Sequence, residues 1–177
     1  MRRLLVHVVL RRQQALTVSR ASGGAQIASR DRPLIEALEQ DTGVPCAVHL
    51  PGHILEWLDS SDAGLIDRLG RLVSRAQVEL LGGGFYSPPL GVLSWRDAIG
   101  QLEMMSGYLE RRTGRRPRGV WLEPGTWTPR LAEVLADGGA RYTLLDAPQV
   151  RAAGLPAGPL AACYAPSTWV DLWPSCR

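Results

Sequence analysis

Glu123 stands between two indoles in Arg118-Gly-Val-Trp-Leu-Glu-Pro-Gly-Thr-Trp127. A carboxylate beside flat aromatic rings suits a sugar, whose hydroxyls donate to the acid and whose C–H faces lie on the rings. Three further polar groups fall at comparable points of the chain: His49 at the end of Val44–Leu50, Glu79 within Gln77–Leu81 before a run of three glycines, and Asp146 at the end of Arg141–Asp146. Four such groups at equivalent points of successive strands make the pattern of a barrel mouth, where chemistry sits at the carboxyl ends of strands. Each also has a plain structural reading. Glu123 reads as a half-exposed loop acid, Trp121 and Trp127 as core, and His49 as a hydrogen-bonding partner of a nearby loop. Glu79 reads as a tie to the next strand, and Asp146 as a cap on the following turn.

The elements that would position these groups follow from apolar patterning. Parallel strands are expected near 4–10, 44–50, 77–81, 118–123, 141–146 and 168–173. Helical spacing fills the gaps. Asp31-Arg-Pro-Leu opens a helix with Leu34, Ile35 and Leu38 on one face, ending near Gly43, and His53–Leu58 is a short helical segment. Ser61-Asp62 cap a helix carrying Leu65, Ile66, Leu69, Leu72 and Val73. Ser94 caps the next, where Trp95, Ile99, Leu102, Met105 and Leu109 are expected in the core, as is Trp57. Val120 to Leu122 are strand formers that Pro124 and Gly125 stop; Thr128 and Pro129 then start a helix with Leu131, Val134 and Leu135 inward. Residues 13–30, rich in Ser, Ala, Gly and Gln, read as an irregular loop. Strands alternating with helices call for an α/β fold with a parallel sheet and helical crossovers.

Composition narrows the function classes. The 177 residues are enough for one domain with a core, and no apolar run approaches the roughly 20 residues of a membrane span. Leu4–Leu10 is too short and holds His7; without a small-residue cleavage site close behind, it reads as a strand rather than a signal peptide. Arg111-Arg-Thr-Gly-Arg-Arg-Pro-Arg118 has no interleaved aromatic, so it reads as a solvated helix end rather than a nucleic-acid surface. Cys46, Cys163 and Cys176 show no C-x-x-C spacing, which argues against a zinc site and a disulfide framework and fits a reducing cytoplasm. No cofactor, metal, nucleic acid or membrane is expected.

Four stretches in order resemble glycoside hydrolase family 57, the α-amylase and 4-α-glucanotransferase family. His49-Leu-Pro-Gly-His-Ile-Leu-Glu-Trp57 resembles its H-x-S-G-x-L-L-E-W segment. Ala76-Gln-Val-Glu-Leu-Leu-Gly-Gly-Gly-Phe-Tyr-Ser-Pro88 resembles G-Q-V-E-I-L-G-G-G-F-Y-E-P, and Asp97 with Gln101 fits the D-x-x-x-Q that follows. Gly119-Val-Trp-Leu-Glu-Pro-Gly-Thr-Trp127 resembles G-x-W-L-x-E-R-V-W. Tyr142-Thr-Leu-Leu-Asp146, with Gly154 and Leu155, resembles Y-T-x-x-D-D-x-H-F-x-x-x-G-L. The likeness runs from about Asp31 onward.

The resemblance implies a (β/α)7 barrel acting with retention on an α-glucan or maltooligosaccharide, with about six of its strands in this chain. His49, Glu79, Trp121 and Asp146 would line the glucan site. Retention requires a nucleophilic carboxylate and an acid/base carboxyl roughly 5 Å apart. The family nucleophile is the Glu of W-L-x-E-R, and that position here is Pro124, with Gly125 in place of the Arg; Glu123 lies one residue early. Ala76, Ser87, Ala147 and Gln149 also depart from the pattern, and Arg12-Gln13-Gln14 is the nearest match to the first motif, H-Q-P. The family's acid/base Asp lies on a later strand. Residues 1–177 are therefore expected to be the N-terminal portion of a catalytic barrel, without its C-terminal part and with a degenerate nucleophile motif. Alone, the chain is expected not to turn over glucan near a family rate, with Glu123 the candidate nucleophile. The alternative is a catalytically inactive glucan-binding or scaffolding relative.

Overall fold

The structure, a computed structural model, describes residues 32–41, 45–123, 126–145 and 151. The expected strands at 4–10 and 168–173, and the loop at 13–30, lie outside the described residues. The chain divides into two compact units. One comprises residues up to Leu80 with Tyr108–Arg116; the other comprises Leu81–Gly107 and the residues from Pro117 onward.

The first unit runs α1 (32–40), β1 (Cys46–Val48), α2 (Gly52–Ser61), α3 (Ala63–Ser74) and β2 (Val78–Leu80). β1 and β2 pair in parallel, with Cys46 opposite Val78, Ala47 opposite Glu79 and Val48 opposite Leu80. Parallel neighbours need a crossover, and α2 and α3 supply it. Leu65, Ile66, Leu69, Leu72 and Val73 of α3 are all buried, as the spacing required. α2 is longer than the expected 53–58: it starts at Gly52, where the Pro51 carbonyl already accepts from the Ile54 and Leu55 N–H groups, and it runs on to Ser61. Trp57 on its flank is half-buried rather than core. Asp62 is the N-cap residue of α3, but its carboxylate makes no cap bond; it accepts from Arg32 at 2.6 Å instead. Gln77 is buried, and its amide donates to the Leu38 and Asp41 carbonyls at 2.7 and 2.5 Å. Arg75 donates to the Gln77 amide oxygen at 2.7 Å, so no polar group of this tie is left over.

α4 (Trp95–Thr113) contributes its last turns, from Tyr108, to this unit. The Tyr108 hydroxyl donates to Asp59 Oδ2 at 2.6 Å, and Arg112 holds Asp59 Oδ1 at 2.8 Å. Burial first, and then the Asp59 carboxylate, push the Tyr108 phenol well above its ordinary pKa. Gly114 follows the end of α4: its N–H still donates to the Glu110 carbonyl at 2.8 Å, and its φ of 70° then turns the chain out of the helix.

The second unit holds a 3-10 turn (Leu90–Val92), the first turns of α4, β3 (Gly119–Trp121), α5 (Pro129–Asp137) and β4 (Tyr142–Leu144). β3 and β4 pair in parallel, with Trp121 opposite Leu144. Gly82 bridges Val120, also in parallel, through Gly82 N–H to the Gly119 carbonyl and Trp121 N–H to the Gly82 carbonyl, at 2.8 and 3.0 Å. Gly119 admits no side chain: a Cβ there would lie 2.4 Å from Tyr142 Cζ and 2.6 Å from Leu81 Cδ2. Val120 and Leu122 enter a core with Ala98, Leu102, Leu131, Val134 and Leu135. Ser94 begins α4 as expected, accepting from Asp97 N–H at 3.1 Å and donating to Asp97 Oδ2 at 2.6 Å.

Trp95 corrects the expectation of a core tryptophan. It is 36% exposed, while Ala98, Leu102, Met105 and Leu109 are buried. As the first residue of α4, its side chain lies back over the preceding chain, beyond the layer that Ala98 and Leu102 fill. Its hydrophobic cover is a cation instead: the Arg130 guanidinium lies 5.7 Å from the ring centroid. The described strands thus make two two-stranded parallel sheets in an α/β chain.

Candidate functional site

In the first unit, β1 delivers His49 directly after its last residue, and the histidine is 2% exposed. Glu79 is the middle residue of β2, not a residue beyond its end. It sits opposite Ala47, two residues before His49, so strand alternation sends Glu79 and His49 to one face of the pair. Val78 and Leu80 point the other way and are buried. Glu79 is half-buried, and its Oε1 is shielded from solvent with no hydrogen-bond partner among the described residues. An acceptor in that condition costs about 1–3 kcal/mol until something donates to it.

In the second unit the same alternation works on β3. Val120 and Leu122 face the core, and Trp121 and Glu123, both half-buried, project from the opposite face. The Glu123 carbonyl accepts from Thr126 N–H at 3.2 Å and Thr126 Oγ1 at 2.5 Å, which fixes the backbone where the strand stops. Trp127 packs against the core cluster, while its indole Nε1 is buried with no hydrogen-bond partner among the described residues. The reading of Trp127 as core therefore holds for much of its ring but leaves its N–H unexplained.

Two residues named from the motif pattern acquire structural roles that the pattern did not state. The Gln101 amide oxygen accepts from Tyr86 N–H at 3.0 Å and anchors the loop after the glycines to α4; the D-x-x-x-Q spacing was its signal. Ser87 takes a φ of 52°, uncommon for a residue with a side chain, and its buried Oγ has no partner among the described residues. Ser87 stands where the motif pattern has Glu.

The structure thus brings His49 together with Glu79 on one sheet face, and Trp121 together with Glu123 on another. Pro124 and Asp146 lie outside the described residues. Among the described residues, no group of three His, Cys, Asp or Glu side chains could hold a metal ion, and no helix is long and apolar enough to cross a membrane. Cys46 is buried as a free thiol, and burial raises its pKa.

The sequence profile of Glycosyl hydrolase family 57 matches residues 29–172. The chain belongs to glycosyl hydrolase family 57. Among this family's curated members it is 36% identical over 124 residues to an alpha-amylase of Pyrococcus horikoshii, a match over 70% of this chain and 19% of that protein. It is 35% identical over 124 residues to the 4-alpha-glucanotransferase of Thermococcus litoralis, again over 70% of this chain and 19% of the relative. The chain spans about a fifth of the length of the curated family 57 relatives it matches. The crystal structure of the Thermococcus litoralis 4-alpha-glucanotransferase superposes with a TM-score of 0.68 at 32% identity, covering 75% of this chain and 21% of that one. A family 57 branching enzyme from Thermococcus kodakaraensis shares the fold, with a TM-score of 0.55 at 15% identity over 73% of this chain and 36% of that one.

Proposed function

We propose that this family 57 chain forms part of a (β/α)7 barrel and engages α-glucan through residues on its strands and just beyond them. His49, Glu79, Trp121 and Asp146 are the proposed contacts, and Glu123 is the candidate nucleophile. The observation that carries this reading is Glu79 Oε1, a buried acceptor with no partner among the described residues, on the sheet face that also carries buried His49. A sugar hydroxyl supplies the missing donor. The matched relatives, an alpha-amylase and a 4-alpha-glucanotransferase, support α-glucan as the sugar.

A second reading, glucan binding without turnover, is favoured by one residue. Retaining chemistry needs a carboxylate to form the covalent glycosyl intermediate. The motif position for it holds Pro124, which has no functional group, and Glu123 stands one residue earlier. One residue of extended chain reverses the face a side chain presents, so Glu123 shares its face with Trp121 rather than with the motif position.

The test is a maltoheptaose assay on wild type and Glu123→Gln, with calorimetry on both. The expected result is binding without turnover near that of an active family member. Turnover that is lost in Glu123→Gln makes Glu123 the nucleophile and removes the second reading. Absence of both binding and turnover overturns the proposal.

A further inference from the structure

We infer that the second unit carries a separate glucan-binding groove on its helical surface, built on Trp95. This inference rests on the α-glucan reading above and adds a contact made by residues other than those at the β3 strand end. The groove is about 550 Å³ and is lined by Trp95, Arg96, Ile99, Gly100 and Glu103 of α4 and by Asp137 at the end of α5. That volume lies within the roughly 300–1,000 Å³ of sites for small ligands.

Its chemistry is that of a neutral polyol site. The Trp95 indole and Ile99 give an apolar wall for sugar C–H faces. The exposed Glu103 and Asp137 carboxylates give acceptors for hydroxyls, and no hydrogen bond or ion pair among the described residues engages either. Arg96 adds a donor, so hydroxyls find both acceptors and a donor along one short groove. Gly100 keeps the floor low: a Cβ there would meet nothing within 4 Å.

The platform is also held in place. Arg130 lies over the Trp95 ring, and its guanidinium is tied by donation to the Leu93 carbonyl at 3.2 Å. Arg130 is not among the groove-lining residues, so the cation fixes the indole without filling the site. A pre-positioned ring with two side-chain torsions loses little freedom on binding. Trp95, 36% exposed, thus stands in a slot beside two carboxylates that no described residue engages.

The experiment is affinity electrophoresis of the 177-residue chain in gels with and without soluble starch, with maltoheptaose calorimetry. Wild type, Trp95→Ala, Trp95→Phe, Glu103→Gln/Asp137→Asn and Glu79→Gln are compared. Trp95→Ala and the double carboxylate variant should weaken starch binding about tenfold, the scale of a central aromatic contact. Trp95→Phe, which keeps a ring, should recover most of it, and Glu79→Gln, which weakens the Glu79 contact, should keep the part of the starch retardation that the groove supplies. Wild-type affinity in both Trp95→Ala and the carboxylate variant overturns the groove and leaves the strand-end reading standing. Starch binding abolished by Glu79→Gln alone has the same meaning. No retardation of wild type overturns both. Circular dichroism on each variant separates lost binding from lost fold, and Trp95→Phe keeps a ring where Trp95→Ala removes a side chain that is 36% exposed.

Discussion

The Glu123 carbonyl accepts two hydrogen bonds from one residue, the N–H and the hydroxyl of Thr126. The hydroxyl bond depends on the side chain alone, so Thr126→Val removes it and keeps the shape. The expected loss is about 1 kcal/mol of stability by urea denaturation. Thr126→Ser should stay near wild type. Maltoheptaose affinity should fall more in Thr126→Val than in Thr126→Ser, because the strand end carrying Glu123 is then less fixed.

Glu79 invites a trade between folding and binding. Its Oε1 is buried with no partner among the described residues, so Glu79→Leu should leave thermal stability unchanged or raise it. The same substitution should lower maltoheptaose affinity at least about tenfold, the cost of losing a buried polar contact. A fall in melting temperature with unchanged affinity would make Glu79 a purely structural residue.

Gly119→Ala should destabilise by about 1–3 kcal/mol, the scale of overpacking, because its methyl would collide with the Tyr142 ring and Leu81. Gly119→Ala/Tyr142→Ala should recover part of that loss. Additive effects in the double variant would show that the ring is not the obstacle.

The Tyr108–Asp59 bond predicts a pH dependence at the alkaline end. Burial and Asp59 raise the folded phenol's pKa, so the neutral form is favoured more in the folded chain than in the unfolded one. The stability this supplies is complete below the unfolded tyrosine value of about 10 and is lost as pH rises toward the folded value. Denaturation of wild type and Tyr108→Phe at pH 8 and pH 11 checks it. Wild type should lose more stability over that interval, and at pH 8 Tyr108→Phe should be about 1–2 kcal/mol weaker.

Periodicity located β1 to β4 and every helix between them, because buried strands and amphipathic helices leave unambiguous apolar spacing. Ser94 and Thr128 marked their helix starts, although Thr128 Oγ1 makes no cap bond. What spacing did not reveal has a physical reason in each case. α2 began earlier than expected, where a proline carbonyl, not a side chain, supplies its first acceptor. Asp62 turned from its cap to Arg32, an ion pair across 30 residues that no local pattern encodes. Trp95 fell on the apolar stripe of α4 yet lies beyond the layer its neighbours fill, and only tertiary packing decides where a stripe runs past the core. For the site, motif order pointed to His49, Glu79, Trp121 and Glu123. The unpartnered Oε1 of Glu79 and the strained Ser87 are properties of coordinates alone.

The alternation along β3 and just beyond it divides four residues between two kinds of constraint. Val120 and Leu122 answer to the core, whereas Trp121 and Glu123 are free of it. Tolerance to substitution should therefore be striped with period two, with folding assays sensitive at 120 and 122 and ligand assays at 121 and 123. A lineage could exchange one stripe while keeping the other. Loss or change of chemistry at this strand end would then leave no trace in stability, and a fold of this kind can outlast the reaction it once carried.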